Sequence, residues 1–208
     1  MIKAVFFDFD GVLTRDKTGS LTTTRYLSQK TGIGYEQIRD AFKKYNNDLN
    51  LGRTTHEEIW PNVCRELRRK IDIVLLREAF ESTPMNNGMF RLARSLKEHY
   101  SVGIITDNKK DRIEHLKRYV GLPSVFDPIV VSADIGSSKE NTLIFERALK
   151  QLGIAASESV FVDNTRDNLV APDTLGMKTV YFDDEKNDLQ ELVTTLKEKH
   201  GLSITSAA

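Results

Sequence analysis

The chain has 208 residues, of which 39% are hydrophobic and 29% charged, with 12 Gly and 5 Pro. That composition excludes collagen-like, low-complexity and largely disordered classes, and the length suffices for one large domain or a domain with an insert. Thirty basic residues balance thirty acidic ones, which argues against a uniformly basic nucleic-acid-binding surface. A single cysteine, Cys64, cannot form an internal disulfide and fits a reducing cytoplasm. Apolar runs such as Ile71–Leu76 are short and interrupted by charge, so no membrane span is expected. The start, Met1 to Lys3, leads straight into a strand-like run and does not read as a signal peptide.

Ala4-Val5-Phe6-Phe7 is apolar on both faces and belongs in the middle of a parallel sheet. Residues 15–84 then carry helical patterns in succession: Thr23–Lys30, Tyr35–Tyr45, His56–Arg69 and Ile73–Ser82. Thr55 and Glu58 have the spacing of a capping box for the third of them. Gly32, Gly34 and Gly52 punctuate this block and Pro84 closes it, so it reads as an all-helical insertion. Strand-like runs at Val102–Ile105, Ile129–Val131, Val160–Val162 and Thr179–Phe182 follow. Between and around them lie amphipathic patterns at Met89–Tyr100, Arg112–Val120, Asn141–Leu152 and Leu189–Leu196. This alternation predicts an α/β fold, a doubly wound parallel sheet formed by 1–14 and 85–208, with an inserted all-helical cap over 15–84. The tail Ser203–Ala208 is small and polar and is expected to fray.

Polar residues gather where the strands end. Asp8 and Asp10 follow the first, Thr106-Asp107-Asn108 the second, Ser132–Lys139 the third, and Asp163-Asn164 with Asp167 the fourth. Ligands of open α/β sheets bind at those carboxyl ends. Several carboxylates converging there need a cation, and oxygen donors suit Mg²⁺, which also binds substrate phosphate. Thr106 and Lys139 add a hydroxyl donor and a positive charge, and helices starting near Asn108 and Asp167 would add backbone N–H groups. The combination asks for a phosphoryl group. Singly, each acid, Thr or Asn would pass for a turn or cap residue. Their sequential order at four strand ends carries the signal.

That order resembles the haloacid dehalogenase (HAD)-like hydrolase superfamily, in the branch with a small helical cap after the first strand. Phe6-Phe7-Asp8-Phe9-Asp10-Gly11-Val12-Leu13-Thr14 matches its first motif, and Ile104-Ile105-Thr106-Asp107-Asn108 resembles the second. Gly136-Ser137-Ser138-Lys139 resembles the third, and Phe161-Val162-Asp163-Asn164 through Asn168 the fourth. Glu140-Asn141 stands where relatives often have Pro-Asp, and Asp163-Asn164 where many have two adjacent acids, with Asp167 able to supply the second. The resemblance implies a phosphatase of small phosphorylated metabolites working through an aspartyl-phosphate. Asp8 would be the nucleophile and Asp10 the acid and base, protonated when substrate arrives. Thr106, Asp107, Asn108 and Lys139 would hold substrate, and Asp8, Asp10, Asp163 with Asn164 or Asp167 would hold Mg²⁺.

Four alternatives stand beside it. A 2-haloacid dehalogenase would not need Asp10, because a halide leaves without a proton, and a phosphomutase would keep all these residues. A non-catalytic binding protein or a receiver-type phospho-switch comes from another class altogether. The expected partner is a small phosphate ester, with no nucleic acid and no membrane, in a monomer or homodimer. Residues 15–85 carry a surplus of three positive charges. Lys43, Lys44, Tyr45, Asn46 and Arg53 are candidates for facing the site from the cap. Trp60 and Cys64 read as cap core, and His56, His99, His115 and His200 as surface residues.

Overall fold

The computed structural model describes residues 1–205. In chain order the elements are β1 (Ala4–Phe7), α1 (Gly19–Thr31), α2 (Tyr35–Lys43), α3 (Asn46–Asn50), α4 (His56–Glu66), α5 (Val74–Glu81), α6 (Asn87–Lys97) and β2 (Ser101–Thr106). There follow α7 (Lys110–Leu116), β3 (Ile129–Val131), α8 (Ser132–Ile135), α9 (Leu143–Leu152), β4 (Ser159–Asp163), α10 (Val170–Thr174), β5 (Lys178–Tyr181) and α11 (Leu189–His200). The five strands form one parallel sheet in the order β3-β2-β1-β4-β5.

Strand β1 is central and all four of its residues are buried. Its side chains alternate between two cores. Val5 and Phe7 pack with residues of α6, α7 and α11 on one face, whereas Ala4 and Phe6 pack with α9 and Ala171 of α10 on the other. Each buried aromatic contributes about 1.5–3 kcal/mol relative to exposure, so the strand that ends in Asp8 is held from both sides. The pattern of long apolar runs thus has its expected cause: a parallel sheet covered on both faces.

The helices of 19–81 build separate apolar clusters. Leu27, Ile38, Trp60, Ile71, Leu76, Ala79 and Phe80 form one, with Cys64 packed against it, and Ala41, Leu49, Ile59 and Val63 form another. The Trp60 indole N–H donates to the Ile71 carbonyl at 2.9 Å. The capping box at Thr55 is present, with Glu58 N–H donating to Thr55 Oγ1 and Thr55 N–H to Glu58 Oε2. The chain enters and leaves this helical block through two adjacent segments, bridged at Thr14 and Met85, where Arg15 N–H donates to the Pro84 carbonyl and Asn86 N–H to the Leu13 carbonyl.

Two expectations change at the ends of elements. The pattern over 112–120 is a shorter helix, α7, followed by a wider turn over Lys117–Gly121. The tail does not fray as far as it is described: Leu202 and Ile204 are buried, Ser203 N–H donates to the Tyr100 hydroxyl, and Ser95 donates to the Thr205 carbonyl. Its last part, residues 206–208, lies outside the described residues. No described helix is long and apolar enough to cross a membrane.

Candidate active site

Three strands deliver carboxylates to one place. Asp8 follows β1, Asp163 ends β4, and Asp107 follows β2. Lys139, from the loop between α8 and α9, is 2% exposed and sits among them. Its ammonium lies 2.8 Å from Asp8 Oδ1 and 2.6 Å from Asp163 Oδ2, while its backbone N–H donates to Asp107 at 2.9 Å. Asp163 also accepts from the Thr165 backbone and from the Asn168 amide. Burial pushes the Asp8 carboxyl up to about 7; Lys139 pulls the other way, and Asp163 adds to the rise. Burial opposes the charge on Lys139, but Asp8, Asp163 and Asp107 outweigh it and hold the ammonium well above the ordinary lysine range. Burial likewise raises Asp107, against the pull of Lys139.

Asp10 faces a different set of partners. The Arg112 guanidinium grips it with two hydrogen bonds of 2.9 Å, and the Asn108 amide donates at 2.8 Å. Arg112 also donates to Asn108 Oδ1, and Asn108 to Thr106 Oγ1 at 3.4 Å. Burial acts to raise the Asp10 carboxyl, but Arg112, Lys109 and Asn108 outweigh it and hold the group below the usual carboxylate range. This corrects the expectation of a protonated Asp10: the neighbour that matters is an arginine from α7, and a bidentate guanidinium stabilises the anion.

Gly11 explains the tight turn after Asp10. It has φ of +81°, and a Cβ there would come within 2.2 Å of the Asn164 amide. Asn164 is buried, and its Nδ2 has no hydrogen-bond partner among the described residues. Asp167, expected as a second acid, is exposed on the turn over Arg166–Leu169, and Asn168 is the residue that reaches Asp163. Among the described residues no three acidic, His or Cys side chains form a ready metal cage, and Lys139 lies between Asp8 and Asp163. A helix does start near Asn108, α7 from Lys110, whereas after Asp163 the chain makes the turn over Arg166–Leu169 before the short α10.

A family model described as haloacid dehalogenase-like hydrolase matches residues 5–192. The chain belongs to that family. A glyceraldehyde 3-phosphate phosphatase of Methanothermobacter thermautotrophicus is 26% identical to this HAD-like hydrolase over 99% of this chain and 95% of its own. A HAD-like family hydrolase from Porphyromonas gingivalis superposes with a TM-score of 0.76 at 23% identity, covering 95% of this chain and 99% of that one. A HAD family enzyme from Bacteroides thetaiotaomicron, in complex with magnesium and inorganic phosphate, gives 0.75 at 18% identity over 92% and 99%. At these identities the two solved structures share the fold with this chain.

Sequence reasoning missed the α7 side of the site. Arg112 is 1% exposed and Lys109 9%, and neither is among the site residues expected from the sequence. The signal available was the density of charge in Lys109-Lys110-Asp111-Arg112 directly after a strand-end motif. His56 is also not a surface residue. It is 4% exposed, and its Nδ1 lies 2.8 Å from both Asp111 oxygens. His115 pairs with Glu81 at 3.0 Å. Of the five cap candidates, Asn46 lines a cavity beside Lys109 and Arg112. Lys43 is exposed, Lys44 pairs with Glu66 over the Tyr45 ring, and Arg53 pairs with Asp48.

Proposed function

We propose that this HAD-like hydrolase is a Mg²⁺-dependent phosphatase of small phosphorylated metabolites that works through an aspartyl-phosphate on Asp8, with residues 15–84 as a cap over the site. The observation that carries the reading is the pairing of two unlike aspartates two residues apart. Asp8 lies against Lys139 at the end of the central strand, and Asp10 is held apart from it by Arg112 and Asn108. A nucleophile and an acid–base group need that division of labour. The names of the relatives, a phosphatase of glyceraldehyde 3-phosphate and a HAD enzyme bound to magnesium and phosphate, support the same class.

Asp8 attacks phosphorus, and Thr106 and Lys139 hold the phosphoryl oxygens as charge redistributes. Asp10 takes up the proton brought by the phosphate monoanion and passes it to the leaving oxygen. It is then a carboxylate again, gripped by Arg112, and draws a proton from the water that cleaves the aspartyl-phosphate. The oxygen donors fit Mg²⁺: the carboxylates of Asp8 and Asp163, the Asp10 carbonyl, and the Asn164 amide, which is buried without a partner and can turn its oxygen inward. When bound, the ion would offset the repulsion between anionic nucleophile and anionic substrate. Asp107 holds the Lys139 loop in place through its backbone N–H. We place the enzyme in the cytoplasm as a monomer or homodimer.

The experiment is turnover of p-nitrophenyl phosphate with added Mg²⁺. Chelation and Asp8→Asn should each abolish it, and acid quenching should trap a phosphoryl adduct on Asp8. Asp8→Asn turning over at the wild-type rate would overturn the reading. A 2-haloacid dehalogenase would instead release halide from chloroacetate and tolerate loss of the Asp10 carboxylate.

A further inference from the structure

A second group of buried cations lies outside the phosphoryl-holding residues. Lys109 and Arg112 line a small cavity, about 20 Å³ and so on the scale of one water, whose other wall is the cap, with Ser20, Thr24 and Asn46 among its residues. The cations of this region differ in how they are satisfied. Lys139 lies between Asp8 and Asp163, Lys110 pairs with Asp134, and Arg112 with Asp10. Lys109 is buried too, at 9% exposed against 1% for Arg112 and 2% for Lys139, yet its ammonium contacts only the Ser20 hydroxyl, at 3.2 Å. Among the described residues no carboxylate comes within ion-pair distance of it.

Arg112 is also incompletely satisfied, since its buried Nε has no acceptor among the described residues. Gly19 lets the guanidinium pack closely against the backbone: a Cβ there would fall 2.7 Å from that nitrogen. Burying a cation without a counter-charge is costly. Burial accordingly pushes Lys109 down to about 8, helped by the repulsion of Arg112 and opposed by Asp10. A water-sized cavity with an unpaired ammonium, an orphaned N–H and cap hydroxyls has room for one anionic oxygen, so a carboxylate or phosphoryl group would reach into it by a single oxygen.

Its position says what that group belongs to. Arg112 forms a wall of the cavity and at the same time grips Asp10. Only the Arg112 side chain stands between the cavity and Asp10, and the cavity lies on the cap side, toward which an alcohol protonated by Asp10 would depart. We propose that Lys109, with Arg112 and Ser20, binds a second anionic group on the leaving alcohol, so that this enzyme selects phosphate esters that also carry a carboxylate or another phosphoryl. The proposal rests on the phosphatase reading only for the orientation of the substrate, and its test separates the two.

The probes are 3-phosphoglycerate and glycerol 3-phosphate, which differ at one terminal carbon, carboxylate against hydroxymethyl. Binding is measured by calorimetry with Mg²⁺ in the non-turning-over Asp8→Asn protein, alone and combined with Lys109→Met, with Lys109→Gln as the second variant and thermal melts to show that each is folded. The Asp8→Asn protein should bind the carboxylated ester about tenfold or more tightly, and loss of Lys109 should shrink that preference to about twofold. A preference that is absent, or that survives in both folded Lys109 variants, overturns the proposal. Wild-type turnover of either ester is read separately. Preference without hydrolysis leaves the subsite standing and defeats the phosphatase reading; hydrolysis without preference does the reverse.

Discussion

The two sides of this site are built by different means. Its floor, Asp8, Asp107, Asp163 and Lys139, is carried by the ends of three adjacent strands and one loop of the sheet domain, and its charges meet one another directly. Its cap-facing wall is assembled across the insertion. Asp111 and His115 of α7 meet His56 and Glu81 of the cap helices, Lys109 meets Ser20, and Ser132 donates to the Asn50 carbonyl. A ring series Phe42, His56, Phe80 and His115, with neighbouring centroids 5.4–6.2 Å apart, runs along the same seam. The floor is fixed by the registry of a buried sheet, whereas the wall exists only while two segments of chain stay together. Chemistry common to a family suits the first arrangement, and choice of leaving group suits the second.

The largest effect should come from taking the cation out of the floor. Lys139→Met leaves Asp8 and Asp163 buried and facing each other, and removing one partner of a buried pair costs about 3–5 kcal/mol. The loss should be greatest near pH 8 and shrink toward pH 5, because protonating Asp8 removes the repulsion. Urea unfolding at the two pH values measures it. An equal loss at both would mean that the floor is not held by charge.

The next test contrasts the two sides by the sign of their pH dependence. Burial pushes the Asp8 carboxyl of the folded protein up to about 7, from the ordinary 3.8 of an aspartate. Between those values the folded state holds a proton that the unfolded state has released, so without metal Asp8 lowers stability as pH rises from about 4 to 7. Asp8→Asn should remove that slope and raise the metal-free melting temperature at pH 8 by a few degrees, on the order of 1–2 kcal/mol. A variant that melts below wild type at pH 8 would show that the ion pair with Lys139 outweighs burial.

Asp111, in the wall, has the opposite sign. Burial acts to raise its carboxyl, but the hydrogen bond and charge of His56 outweigh it and hold the group below the usual range. Its contribution is therefore present above the ordinary carboxylate pKa and is lost as pH falls through the lowered value. Asp111→Asn should cost about 1–2 kcal/mol at neutral pH, the scale of one partly buried hydrogen-bonded pair. It should speed proteolysis or hydrogen exchange at the 14/85 linkers while leaving the sheet protected. Uniform loss of protection would make the wall part of the same cooperative unit as the floor.

The same division explains what was legible beforehand. The strands, the insertion and the floor residues could be read because each rests on local pattern: an apolar run that stops at an acid. The Thr55–Glu58 box is equally local. The wall could not be read, because His56, Lys109 and Arg112 owe their burial to partners 55 to 102 positions away, and nothing in a helix's own periodicity announces them. For the same reason the sequence does not reveal the group that keeps Asp10 ionised. Asp8 is two residues away in sequence, but Arg112 is adjacent in space. Asp167 shows the converse, since an acid with the right spacing points outward when the chain forms a tight turn instead of a helix.

The smallest expected effect concerns Arg53, a cap residue whose charge and segment suggested the site. Its side chain is 63% exposed and its pair with Asp48 spans 3.3 Å at the surface. Such pairs are worth about 0–1 kcal/mol. Arg53→Ala should therefore change stability by less than about 0.5 kcal/mol and kcat/KM for an aryl phosphate by less than about twofold. A larger fall in kcat/KM with unchanged stability would mean that the cap moves far enough on substrate binding to bring Arg53 inward. The wall would then extend beyond the contacts of α7, and the selecting side of the site would be wider than the cavity beside Lys109.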